Sequence, residues 1–188
     1  MMHPLIKEVL LTKEKIDLRT SEVAKEVTEH YLKEGVEDEP IVLVGFLKGC
    51  VPFMGKFLEN FNLNCQTEYM LISSYGSGTK SSGKPEILLD LRIPIENRHI
   101  LIVEDIIDTG ITLDFMVNYF KMQNPKSIKI ITMLDKSKSH KVDIKADWKC
   151  FDVGNEFLVG MGLDVNERFR NLPYIGVVDV EKLATWKW

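Results

Sequence analysis

The stretch "HILIVEDIIDTGITLDFMV", residues 99–117, runs from an apolar segment through two acids and a short turn into a helical pattern. Residues 99–105 read as a strand buried on both faces, because the apolar run is β-branched and unbroken. Residues 112–123, "TLDFMVNYFKMQ", carry the spacing of an amphipathic helix. A turn between such a strand and such a helix lies at the carboxyl end of the strand, which is where open α/β sheets bind ligands. Gly110 lets the backbone approach an anion, and Thr109 and Thr112 supply hydroxyls. The opening helix adds unpaired amides and the positive end of its dipole. The result is a phosphate cup without a lysine. The same pattern also fits a strand, an acidic turn and a helix capped by Asp108, with no ligand at all. Against that bland reading stand three carboxylates, Glu104, Asp105 and Asp108, at one strand end. Like charges so close repel unless a cation or hydroxyls share them.

The surrounding sequence supplies the rest of a sheet. Residues 41–46, "IVLVGF", form a second strand apolar on both faces. Residues 51–61 read as a helix with Pro52 tolerated in its first turn. Strands are expected at 66–74, 86–91 and 127–136, with short ones at 149–154 and 174–180. Residues 16–35 form an amphipathic helix with inward positions at Val23, Val27 and Leu32, a cap at Ser21 and a stop at Gly35. Apolar strands alternating with helices predict an α/β fold with a mostly parallel sheet flanked by helices.

A second glycine-rich stretch, "GTKSSGK" at 78–84, nearly matches the nucleotide-triphosphate loop Gly-x-x-x-x-Gly-Lys. That loop needs a hydroxyl residue after the lysine, to meet Mg²⁺, and a helix opening at once. Here Pro85 follows Lys84, and "EILLDL" reads as a strand. The stretch is better read as the connection of an antiparallel hairpin. Carrying Lys80 and Lys84, it suits a loop that closes over an anionic substrate.

With 188 residues the chain fits one domain. Its net charge of −4 provides no global attraction for nucleic acid or an anionic membrane, so any polyanion site must be local. No run approaches the roughly 20 apolar residues of a spanning helix, and the start does not read as a secretion signal. A cytoplasmic location is expected. The three cysteines, Cys50, Cys65 and Cys150, form no C-x-x-C pair and read as reduced thiols. The four histidines show no paired ligand spacing, which disfavours a zinc site.

"VEDIIDTGITL" (103–113) resembles the phosphoribosyl-diphosphate motif of the type I phosphoribosyltransferases, in the form found in the hypoxanthine-guanine phosphoribosyltransferases. Further segments are similar to that family in the same order: "FLKGC" (46–50), "ISSYGSGTKSSG" (72–83), "LDK" (134–136), "EFLVGMGLD" (156–164) and "ERFRNLPYIGVV" (167–178). The resemblance spans about residues 40 to 178. It implies the type I phosphoribosyltransferase fold as one domain over 1–188. A small hood would come from the N-terminal segment and roughly 137–188, with a lid loop over 73–84.

The activity implied is transfer of a 5-phosphoribosyl group from phosphoribosyl diphosphate to a 6-oxopurine, with Mg²⁺ as cofactor and a homodimer or homotetramer as the working form. Residue by residue, the resemblance assigns the phosphate cup to Asp108, Thr109, Gly110, Ile111 and Thr112. It assigns the ribose hydroxyls and metal to Glu104 and Asp105, and general-base duty near purine N7 to Asp108. In the related adenine enzymes that last position is typically Ala. Lys136 would donate to the exocyclic O6, Phe157 would stack on the base and Leu158 would offer its backbone to the base edge. Asp164 would meet a second Mg²⁺ and the base C2 region. Lys48, Gly49 and Arg170 would bind pyrophosphate, and Ser74 and Tyr75 would begin the lid. An unusual cis peptide is implied between Leu47 and Lys48. Arg168 reads as a surface residue, and the tail 181–188 with its two tryptophans packs either on the core or on a subunit interface. Two other readings stay open: a xanthine-preferring transferase, and a regulator that senses phosphoribosyl diphosphate. The regulator is disfavoured by the retained base-site residues and the absence of a basic face.

Overall fold

The computed structural model describes residues 2–36, 40–73 and 85–188. Its main sheet is built from β2 (Ile41–Leu47), β3 (Cys65–Ser73), β4 (Glu86–Leu89), β5 (His99–Ile107), β6 (Ser127–Asp135) and β7 (Trp148–Asp152). They stand in the order β4-β3-β2-β5-β6-β7. Every neighbouring pair is parallel except β3 with β4, which is the expected antiparallel hairpin.

The continuous apolar strands are explained by what covers them. Ile41, Leu43, Leu101 and Val103 face one layer, formed by α1 (Lys13–Lys33) and α2 (Cys50–Leu58) through Val23, Val27, Tyr31, Phe53 and Phe57. Their alternates Val42, Val44, Ile100 and Ile102 face the other layer, where α3 (Ile111–Lys121) contributes Met116 and Phe120. Because a strand's side chains alternate between faces, burial on both sides requires apolar residues at every position.

Helix α1 departs from expectation at both ends of its pattern. It starts at Lys13, where the Thr12 hydroxyl accepts from the Lys15 amide, so Ser21 lies inside the helix rather than capping it. The inward position after Val27 is Tyr31, four residues on and fully buried, whereas Leu32 is exposed. The spacing i, i+4 keeps one face toward the sheet, and residue 32 falls outside it. The chain does leave the helix through Gly35, at φ +74°. In α2, Pro52 is the third residue, as the first-turn rule requires.

Gly55 lies within α2, and a Cβ added there would meet nothing within 4 Å. Gly55→Ala should therefore stabilise the protein by about 0.5–1 kcal/mol. That corresponds to a melting temperature higher by roughly 1–4 °C in a thermal melt.

A second sheet of three strands joins the two ends of the chain: β1 (Ile6–Leu11), β9 (Ile175–Val178) and β8 (Leu158–Val159), all antiparallel. β1 had no counterpart in the sequence reading. The main sheet extends through β7 at 148–152, so residue 137 is not a border between the sheets. The tail forms α4 (Val180–Thr185), capped by Asp179, and its tryptophans lie against the second sheet's loops. Trp186 meets His3 edge-on, Trp188 tilts against Phe169, and Arg168 stacks over Trp188 at 4.7 Å.

Candidate active site

The strand order reverses direction between β2 and β5, and a crevice opens beyond their carboxyl ends, as open α/β sheets predict. It is a cavity of about 510 Å³, within the range of small-molecule sites. Its walls include Lys48 and Gly49 after β2, residues 104–112 at the end of β5, and Arg170 from the loop before β9. The sequence-predicted cup, acidic pair and pyrophosphate residues are thus brought to one place.

The cup is built at the start of α3. Gly110 is the N-cap residue, at φ +78° with no side-chain cap, and the first intrahelical bond runs from the Asp114 amide to the Gly110 carbonyl. The amides of residues 110–113 therefore have no intrahelical partner and are free for an anion. Asp108 does not cap the helix, contrary to the bland reading; its carboxylate lies 3.5 Å from Lys136 Nζ. Gly110 has a packing reason too, since a Cβ there would come within 2.5 Å of Ile144.

The two acids of the pair lie close enough to interact, in different settings. Asp105 is buried, and its Oδ1 accepts from the Ile106 amide. Its carboxylate lies under Gly49 so closely that a Cβ on that glycine would fall 1.8 Å from Oδ2. Glu104 presents Oε2 buried and without a hydrogen-bond partner among the described residues. Burial and the adjacent Asp105 carboxylate push the Glu104 carboxyl well above its ordinary range. Burial raises Asp105 as well, opposed in part by a hydrogen bond with Glu104, then by the Ile106 amide and Arg170.

A carboxyl raised by folding binds a proton more readily in the folded than in the unfolded chain, so its ionisation opposes folding as pH rises. Glu104→Gln should therefore raise the melting temperature of the ligand-free protein at pH 8. If the relieved repulsion is on the order of 1 kcal/mol, the rise is roughly 2–4 °C. The gain should shrink as pH falls toward the ordinary glutamate value of 4.5 and vanish below it. Melts at pH 4 and pH 8 check the sign.

Lys48 follows a cis peptide after Leu47. Its Nζ donates to Glu167 Oε2 at 2.8 Å, and Arg170 donates to the other oxygen of Glu167 at 3.1 Å. Arg170 also donates to the Gly162 carbonyl at 2.7 Å and pairs with Asp164 at 2.8 Å. Hydrogen bonds from Lys48 and Arg170 lower the Glu167 carboxyl from its usual value.

The family model for the phosphoribosyl transferase domain matches residues 16–166. The hypoxanthine-guanine phosphoribosyltransferase of Streptococcus thermophilus is 42% identical over 181 residues, covering 96% of this chain and 98% of that one. The chain belongs to the hypoxanthine-guanine phosphoribosyltransferase family. Among solved structures, a Trypanosoma cruzi hypoxanthine phosphoribosyltransferase, studied for the role of its C-terminal region in oligomeric state and activity, superposes with a TM-score of 0.91. It is 35% identical, covering 98% of this chain and 97% of that one. The Trypanosoma cruzi enzyme in complex with its product IMP matches at a TM-score of 0.89 and 35% identity, over 96% and 98% of the two chains.

Not every family-like residue lines the crevice. Lys136, just after β6, turns a mostly buried side chain toward Asp108. Asp164 is engaged by Arg170 and accepts from the Glu167 amide at 2.8 Å. Leu158 is buried in β8 opposite Val177. Phe157 is 43% exposed and borders a separate concavity with Lys7 and Val178. Ser74, Tyr75, Lys80 and Lys84 lie outside the described residues.

Sequence reasoning missed Glu167, which ties Lys48 and Arg170 together, and Gly162. A Cβ at Gly162 would stand 1.8 Å from the Gly49 carbonyl. The glycines of "VGMGLD" were the available signal. Among the described residues all three cysteines are free, and burial raises each thiol, Cys150 to about 12, the opposite of the lowered value that marks a reactive thiol.

Proposed function

We propose that the chain is a purine salvage enzyme that transfers the 5-phosphoribosyl group of phosphoribosyl diphosphate to N9 of hypoxanthine or guanine. The products are IMP or GMP and pyrophosphate. The observation that carries the reading is one crevice that gathers a lysine-free phosphate cup, an acidic pair and Arg170, with Asp108 beside Lys136 at its rim. The IMP complex of the Trypanosoma cruzi relative supports the same product.

In this reading N9 attacks C1′ as the bond from C1′ to the pyrophosphate oxygen breaks, through an oxocarbenium-like transition state. The base gains the glycosidic bond at N9 and gives its N7 proton to Asp108, acting as general base. Asp108 to Thr112 hold the 5′-phosphate through the free amides and the hydroxyls of Thr109 and Thr112. Lys136 donates to O6 and rejects the amino group of adenine. A site built on such a bond discriminates by ~10⁴ or more. Phe157 offers its exposed face for stacking, Leu158 its backbone to the base edge, and Asp164 the region of C2. Lys48, Gly49 and Arg170 receive pyrophosphate.

Glu104, Asp105 and Asp164 would hold Mg²⁺. The orphaned Glu104 Oε2 and the stacked charge of the acidic pair fit a hard cation. Magnesium is usually held by one or two carboxylates plus substrate oxygens, so no larger protein cage is required. When bound, the ion offsets the charge of the diphosphate. Ser74 and Tyr75 would open the lid, and the active form would be a homodimer or homotetramer.

The test is an assay with phosphoribosyl diphosphate, Mg²⁺ and each of hypoxanthine, guanine, xanthine and adenine. Rapid nucleotide formation with the first two and none with adenine is expected. Faster use of xanthine would move the chain to the xanthine-preferring subclass. No turnover with any base would overturn the enzymatic reading and favour a regulator.

A further inference from the structure

The carboxylate of Asp135, the last residue of β6, is 5% exposed and does not line the crevice. Three groups from beyond its own strand converge on it. Ser137 Oγ donates to Oδ2 at 3.0 Å, Lys149 Nζ from β7 reaches the same oxygen at 3.2 Å, and His140 Nε2 lies 2.8 Å from Oδ1. A buried carboxylate persists only where donors and charges offset its desolvation, so these contacts act as a unit.

What the unit clamps is the short 3-10 turn Ser137–Ser139 and the residue that follows it. The main chain of Lys136 is fixed on both sides of that turn. Its amide donates to the Ile107 carbonyl of β5 at 2.9 Å, and its carbonyl accepts from the Ser139 amide at 2.7 Å. The pairing of β6 with β7 does not depend on the carboxylate, since the backbone ladder runs from Ile131 with Trp148 to Asp135 with Asp152. The Asp135 side chain therefore organises the turn, sharing Ser137 Oγ at 3.1 Å and Lys149 Nζ at 2.6 Å with the exposed Asp152. Lys136 leaves it with its Nζ 3.5 Å from Asp108.

We propose that Asp135 is a positioning residue for the base site: by gathering Ser137, His140 and Lys149 it fixes the 137–140 turn and so aims Lys136 at the exocyclic oxygen of a 6-oxopurine. The proposal rests on Lys136 being the donor to that oxygen.

Asp135→Asn keeps the shape and removes the charge that holds Lys149. It should raise the KM for hypoxanthine about tenfold or more, because a small misplacement of a positioned group is costly. The Kd for phosphoribosyl diphosphate, measured by calorimetry, should stay within twofold, and the preference for hypoxanthine over adenine in kcat/KM should fall. A merely structural loss would lower both substrates' use together. Lys136→Ala should raise the hypoxanthine KM at least as much, and the double variant should be no worse than Lys136→Ala alone, since one residue acts through the other.

If Lys136→Ala leaves the hypoxanthine KM unchanged, the role of Lys136 falls and the proposal with it. If Lys136→Ala raises it and folded Asp135→Asn does not, the proposal alone is overturned. Should Asp135→Asn fail to fold, the pair Ser137→Ala and His140→Gln decides. A selective rise in hypoxanthine KM supports the proposal, and an unchanged KM refutes it.

Discussion

Asp108→Asn should leave the folded protein intact and lower kcat by about 10²–10⁴-fold, the usual contribution of a positioned general base. The side chain is about half exposed, and among the described residues it pairs with Lys136 at 3.5 Å. An ion pair of that exposure contributes roughly 0–1 kcal/mol, so the melting curve should barely move. Asparagine matches the shape but cannot take the N7 proton. The cup's free amides belong to the backbone of α3 and survive the change, so the KM for phosphoribosyl diphosphate should shift little. By microscopic reversibility the reverse reaction, from IMP and pyrophosphate, should slow by a similar factor. Steady-state rates in both directions with a thermal melt are the check. A folded variant that turns over at the parent rate would remove Asp108 from the chemistry and leave it only as the partner of Lys136.

Gly162→Ala should damage the Lys48–Gly49 side of the crevice through the backbone. Gly162 sits at φ +101°, where an alanine is strained whatever the space. There is no space either: the Cβ would stand 1.8 Å from the Gly49 carbonyl and 3.2 Å from Pro52. The loop carrying Lys48 and Gly49 must move, and Gly49 in turn packs on Asp105. Arg170, which donates to the Gly162 carbonyl, moves with it. The strain should cost about 1–3 kcal/mol. That lowers the melting temperature by roughly 2–10 °C. We expect kcat/KM for phosphoribosyl diphosphate to fall by about 10²-fold, as for other small misplacements of positioned groups. Gly55→Ala is the control, a glycine with open space beyond it. If both substitutions behave alike, the contact with Gly49 is not what holds the loop.

The local elements and the position of the cup were legible because they depend on neighbours in sequence. Strands β2 and β5 announce burial on both faces by unbroken apolar residues, and "DTGIT" announces a turn into a helix. The parallel order followed from the alternation of strands and helices. Helix α1 was misread at its cap because Thr12 and Ser21 are equally able to cap, and only the packing of Tyr31 under the sheet selects the register.

β1 was invisible because its partner, β9, lies more than 160 residues away, and a strand at a small sheet's edge needs no apolar run of its own. Distance along the chain also hid Glu167 beside Lys48, 119 residues away, and Gly162 against Gly49. The carboxylates Glu104, Asp105 and Asp108 are near neighbours along the chain and Asp135 ends the next strand of the sheet, yet their settings differ. Asp105 lies beneath a glycine, Glu104 has an oxygen without a partner among the described residues, Asp108 is at the rim beside a lysine, and Asp135 accepts from Ser137 and Lys149 with His140 close by. Sequence alone determined the residue types, their local spacing and the family they resemble. The tertiary structure decided which charges are buried and by what they are met, because burial and pairing are set by contacts between segments distant along the chain.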